Sequence, residues 1–80
     1  MEKLRVRVLL SWDENGVKHP SHIIYNDHTY PIDRVVAVRN SASLRTGGFG
    51  ERYTVRIAGK EYYLFFEDPY WWLLAPEKFV

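Results

Sequence analysis

Four groups of residues in this chain have types and spacings that could do chemistry. The first is the stretch Leu44-Arg45-Thr46-Gly47-Gly48-Phe49-Gly50, which combines free backbone amides with a guanidinium, the ingredients of a phosphate cradle. The Lys-Ser ending of a nucleotide-binding loop is missing, and no helix pattern follows to lend its N-terminus. The stretch therefore reads as a hairpin connection in which Arg45 and Phe49 can clamp a partner, and nucleotide hydrolysis is not expected. The second group is His19, His22 and His28, whose spacing permits metal binding in principle. A strand points neighbouring residues to opposite faces, Pro20 interrupts the first pair, and Asp27 alone supplies a nearby carboxylate, so surface histidines are expected and no metal site. Third, Ser11, Ser21, Ser41 and Ser43 are turn-type serines with no histidine-carboxylate arrangement around them, and the pairs Asp13-Glu14 and Glu67-Asp68 fall in turns where acids are ordinary. A domain this small also struggles to build a walled pocket that excludes water. These groups lead to the expectation that the protein is not an enzyme and carries no cofactor.

The fourth group is the strongest. In Arg52 to Ala58, the residues Tyr53, Val55 and Ile57 share one face of a strand while Arg52, Thr54 and Arg56 share the other. Arg5 and Arg7 alternate in the same way near the N-terminus. If these arginine faces lie together, with Arg39 and Arg45 close by, they make a groove for a polyanion, and aromatic residues beside it can stack bases, as small barrels do with single strands. Most of Tyr62, Phe65, Phe66, Trp71 and Trp72 should be core. Adjacent Trp71 and Trp72 cannot both face inward on one strand, so one of them is expected at the surface, where a tryptophan is an effective anchor.

The elements that must position these groups are strands. Leu4, Val6, Val8 and Leu10 alternate with Lys3, Arg5, Arg7 and Leu9, which predicts a strand with one buried face, and Trp12 continues the buried register. Asp13-Glu14-Asn15-Gly16 breaks it with turn chemistry, and His19-Pro20 extends the loop. A second strand is predicted over His22 to Tyr25, followed by a tight turn at Asn26-Asp27-His28. The third, roughly Thr29 to Arg39, is the longest, with Tyr30, Ile32, Val36 and Val38 on one face and Val35 and Ala37 on the other. Pro31 cannot donate a ladder hydrogen bond and places this part at an edge or a bulge. Ser41 to Gly50 is the one clear loop. A three-stranded meander follows in Arg52 to Ala58, Glu61 to Glu67 and Tyr70 to Leu74, turning at Gly59-Lys60 and Asp68-Pro69, with Tyr62 to Phe66 apolar on both faces. About six antiparallel strands with hairpin turns predict an all-β fold, a small SH3-like or similar barrel over residues 1–80.

Bulk properties agree. Eighty residues make one domain, and 16% aromatic content compensates for a small core, since each large ring buries about 150–250 Å². There are no cysteines, which favours a reducing compartment, and MEKLRVRVLL is too interrupted by arginine for a signal peptide. No apolar run reaches the ~20 residues of a membrane-spanning helix, so a cytoplasmic protein without a membrane partner is expected. The net charge of +1 says little as a sum; cations concentrate between Arg34 and Lys60, and acids gather at Asp13-Glu14 and Glu67-Asp68.

The runs Tyr30-Pro31-Ile32-Asp33-Arg34-Val35-Val36, Gly47-Gly48-Phe49-Gly50-Glu51-Arg52-Tyr53-Thr54-Val55 and Gly59-Lys60-Glu61-Tyr62-Tyr63-Leu64-Phe65-Phe66-Glu67 resemble a family of small bacterial, Firmicutes-type all-β proteins. Some members of that family are associated with translesion-polymerase or mobile-element gene neighbourhoods. The resemblance covers Ile24 to Trp72, rests on hairpin and core positions, and brings no catalytic residues with it. It implies an accessory role in DNA repair or replication. The resulting expectation is a non-enzymatic binding module in which Arg39, Arg45, Arg52 and Arg56 contact phosphates while Phe49 and Trp72 stack or dock. Its candidate partners are single- or double-stranded DNA and a polymerase or other protein. The alternative is an adaptor or oligomerising module with no nucleic-acid role, using an exposed tryptophan and an open strand edge near Pro31.

Overall fold

A computed structural model describes residues 2–42, 49–75 and 79. The described residues form β1 (Glu2–Trp12), β2 (Lys18–Tyr25), β3 (His28–Pro31), β4 (Arg34–Ala42), β5 (Phe49–Ile57), β6 (Lys60–Glu67) and β7 (Tyr70–Ala75). All pair antiparallel in one sheet of order β3-β2-β1-β7-β6-β5-β4, curled into a half-barrel around its apolar face. The all-β class and barrel-like curl are those the alternation predicts, with seven strands rather than about six.

The turns follow from local chemistry. At the β1–β2 turn the Asp13 carboxylate accepts from the amides of Asn15 (2.9 Å) and Val17 (3.0 Å), and Gly16 takes φ +77°. Asn26 and Asp27 at φ 51° and 64° make the β2–β3 turn, the double left-handed pair a two-residue hairpin needs. Ala58 and Gly59 do the same between β5 and β6 at φ 52° and 80°.

Four expectations are corrected. His19 and Pro20 belong to β2, not to a loop: Leu9 pairs with His22 and Leu10 with Pro20, so Ser21 is the extra residue of a bulge and Pro20 is buried. The long third strand is two strands that lie at opposite ends of the sheet order. Between them the Ile32 amide donates to the Ser21 carbonyl of β2 (2.9 Å) and the Asp33 amide to the Arg56 carbonyl of β5 (2.8 Å). Consecutive residues thus tie the two sides of the curled sheet together. A second irregularity, between Val35 and Ala37, makes Val36 the extra residue of a bulge, so that Val35 rather than Val36 packs on the core with Tyr30 and Ile32 and Val36 is exposed. Val38 keeps inward parity, since it pairs with the buried Tyr53, but on this edge strand it is 48% exposed. Finally, four residues at the ends of the loop expected over 41–50 are strand residues, Ser41 pairing with Gly50 and Ala42 with Phe49. Pro31 does lie on an edge strand, and the predicted meander is β5-β6-β7.

The core fills the inside of the curl. Val6, Ile23, Tyr53, Val55, Ile57, Leu64 and Leu73 are buried there, and one end is closed by Phe79. The Phe79 ring meets Tyr25, Tyr30 and Tyr62 edge-on at centroid separations of 6.1, 5.1 and 5.2 Å, and its amide donates to the Glu2 carboxylate at 3.0 Å. Tyr53 lies deeper; burial first, and Glu51 second, push its hydroxyl pKa up. Trp12 is the largest departure from the pattern. It keeps the inward parity of Val6 and Val8, but the β1–β2 hairpin runs past the core and leaves it 63% exposed.

Candidate nucleic-acid interface

The outward face of β4-β5-β6-β7-β1 is set by registration. Arg39 pairs with Arg52, Arg52 with Phe65, Phe65 with Trp72, and Trp72 with Arg5. Directly paired residues share a face, so these five side chains form one row across five strands, two cations, two rings and a cation. With strands ~4.8 Å apart, the row is about 19 Å long. The adjacent row runs Ala37, Thr54, Tyr63, Leu74, Lys3. Two chemically separate surfaces therefore arise from one period-2 alternation, an apolar inside and a basic-aromatic outside.

Cations and rings are interleaved within this face. Lys3 Nζ stands 4.5 Å from the Trp72 ring centre and 5.6 Å from that of Phe65; the Arg5 guanidinium lies 3.6 Å over Tyr70, and that of Arg52 4.9 Å over Tyr63. Each such contact is worth about 0.5–1 kcal/mol at exposed sites and orders the long side chain. Tyr63 and Tyr70 remain exposed, whereas Phe65 is 8% exposed although it faces outward. Arg52 carries a buried Nε without a hydrogen-bond partner among the described residues, an uncommon state for a polar donor.

Acidic groups are partly neutralised. Glu61 pairs with Arg56 at 3.2 Å and Glu67 with Lys3 at 3.7 Å. Among the described residues no carboxylate lies within ion-pair distance of Arg5, Arg39 or Arg52. Where β1 leaves β7 for β2, an open cleft of about 380 Å³ lies between Arg5, Arg7, Ile24 and the Asn26-Asp27 turn.

Of the residues proposed from sequence, Arg39, Arg52 and Trp72 share one row and Arg56 lies two steps along the same strand face, beyond Thr54 and opposite Arg34. Arg45 lies outside the described residues, as does the side chain of Phe49. Trp71 packs inward against Tyr53 and Phe66 at 5.9 and 5.0 Å, while Trp72 faces out; both are half-buried, and the strongly exposed tryptophan is Trp12. Lys3, Tyr63 and Tyr70 join the face without having been singled out in the sequence. Their signal, an outward parity in β1, β6 and β7, has meaning only once β1 is known to sit beside β7.

The other candidate chemistry is dispersed. His19 Nε2 is 3.1 Å from an Asp13 carboxylate oxygen, His22 Nδ1 is 2.9 Å from Ser21 Oγ, and His28 tilts against the Tyr30 ring at 6.2 Å. His19 and His22 are half-buried rather than fully at the surface. Among the described residues no three metal-capable side chains converge. Ser21 Oγ donates to the Leu9 carbonyl at 3.1 Å, holding the bulge. Compared with known proteins, the chain matches no protein-family model, no curated protein and no solved structure.

Proposed function

We propose that this protein is a non-enzymatic binding module whose ligand is nucleic acid, engaged on the outward face of β4-β5-β6-β7-β1. The observation that carries the reading is the row Arg39, Arg52, Phe65, Trp72, Arg5, which sets cations on both sides of a pair of rings. Such a line offers a polyanion both phosphate partners and apolar contact. Among the described residues Arg5 and Arg39 have no carboxylate partner, which leaves their guanidinium donors for phosphates. A cytoplasmic accessory role in bacterial DNA repair or replication, beside a polymerase, is the context that the family resemblance supplies.

The test is a titration with labelled oligonucleotides at several salt concentrations, comparing the parent with an Arg39→Ala/Arg52→Ala variant. Two lost phosphate contacts should reduce the slope of log K against log salt by about 1.4 for a single strand and about 1.8 for a duplex. An unchanged slope in a folded variant overturns the reading.

One observation favours a second reading, an oligomerising or adaptor module. Trp12, Val17 and Leu9 are 63%, 52% and 45% exposed on the same hairpin. Association through them would be insensitive to salt. Sedimentation over a range of protein concentrations, with Trp12→Ala as control, detects the self-associating form.

A further inference from the structure

Resting on the nucleic-acid reading, we infer that the ligand is a single strand, lying across the sheet from Arg39 to Arg5 and covering about four nucleotides, the low end of what small barrels cover. The order of groups in the row carries this. Phe65 and Trp72 stand in the middle, with Arg52 and Arg39 on one side and Arg5 on the other. Phe65 is nearly covered, so Trp72, half-buried, is the central ring that a ligand can reach. A duplex presents phosphates and groove edges but keeps its base faces stacked inside, so it leaves that ring without a partner. A single strand presents base faces and phosphates together, and stacking on them tolerates any base.

The cations over the rings fit the same ligand. The Arg5 guanidinium carbon stands 3.6 Å from the centre of the Tyr70 ring and Arg5 is itself exposed, so its guanidinium offers a second plane on which a base can stack. Lys3, by contrast, reaches Trp72 through a flexible stem, and a base can displace it from the ring. At the Arg5 end the row runs into the open cleft that Arg7 and the Asn26-Asp27 turn also line, which leaves room for the strand to continue.

The experiment measures Kd for oligothymidylates of two to twelve nucleotides and for a twelve-base-pair duplex, at one low salt concentration, by tryptophan fluorescence and anisotropy. Affinity should rise steeply up to about four nucleotides and only slowly beyond. The duplex should bind at least tenfold more weakly than the single strand of equal length. Trp72→Leu and Tyr70→Ala should each weaken single-strand binding by about 5- to 150-fold, the range for one lost base stack. Tyr70 is exposed, so the second variant keeps the test open if the first does not fold. Equal affinity for duplex and single strand, with Tyr70→Ala and a folded Trp72→Leu both neutral, overturns the single-strand inference and leaves the nucleic-acid reading standing. Failure to bind either ligand at low salt overturns both.

Discussion

Removing the Phe79 ring should be among the most damaging single changes available in this chain. Phe79 is 5% exposed and closes one end of the core against three tyrosine rings. Truncating a buried Phe to Ala costs about 3–5 kcal/mol. Three edge-on ring pairs, each worth about 0.5–1.5 kcal/mol beyond area burial, put Phe79→Ala in the upper part of that range. A domain of 80 residues has a total stability of about 4–12 kcal/mol, so the variant keeps at best a modest margin. At ~4–8 °C per kcal/mol, a loss of about 4–5 kcal/mol should lower the melting temperature by about 16–40 °C. Urea denaturation followed by tryptophan fluorescence reads the same loss as a lower midpoint at near-constant slope. Glu2→Ala removes the carboxylate that accepts from the Phe79 amide, and should cost about 1 kcal/mol in this part-buried setting. The double variant should cost about 0.5–1 kcal/mol less than the sum, because the Glu2 contact matters chiefly while the ring is there to be held. A loss below 1 kcal/mol for Phe79→Ala would refute the role of the ring as a plug, and strict additivity would refute the role of Glu2 as its anchor.

Three further predictions concern the turns. The Val17 amide first, then His19, holds the Asp13 carboxyl below its ordinary value. With the folded-state pKa depressed, the hairpin gains stability that is present above the unfolded value of ~3.9 and lost as pH falls through the lower folded one. An NMR titration of the Asp13 carboxyl carbon with a midpoint at or above 3.9 would contradict this. At the β5–β6 turn, Ala58 adopts φ 52°, a left-handed conformation that costs a residue with a Cβ about 1 kcal/mol, whereas Asn tolerates it. Ala58→Asn should therefore raise the denaturation midpoint by about 1 kcal/mol equivalent. Gly59→Ala should lower it by a similar amount through backbone strain alone, since an added Cβ meets nothing within 4 Å.

The parts of this fold that were legible in the sequence are those governed by neighbours in the chain. Asn26-Asp27 and the Gly16 and Gly59 turns announce left-handed backbone, and strict alternation in β5 separates Tyr53, Val55 and Ile57 from Arg52, Thr54 and Arg56. Alternation fails wherever an extra residue enters a strand. The bulges at Ser21 and Val36 depend on pairing with β1 and β5, which no local pattern encodes, and so Pro20 reads as loop and Val36 as core-facing. Trp12 shows a different limit, since parity says which way a side chain points and not whether the partner wall extends that far. The candidate interface was half legible for the same reason. The arginine faces of β1 and β5 are each plain, but the rings that join them come from β6 and β7, whose position between the two is a property of topology.

The sheet order also says when the outward row comes into existence. β1, β2 and β3 form one local meander and β4 to β7 another, and the two join along the β1–β7 seam and through the hydrogen bonds of Ile32 and Asp33. Each meander can assemble from short hairpins, whereas the seam brings residues from opposite ends of the sequence together and must meet the entropy of a long closure. Arg5 belongs to one meander, and Trp72, Phe65, Arg52 and Arg39 to the other. The row is therefore continuous only after the slowest, least local step of assembly. A partly folded chain displays two incomplete half-rows, so completion of the fold and completion of the binding face are a single event.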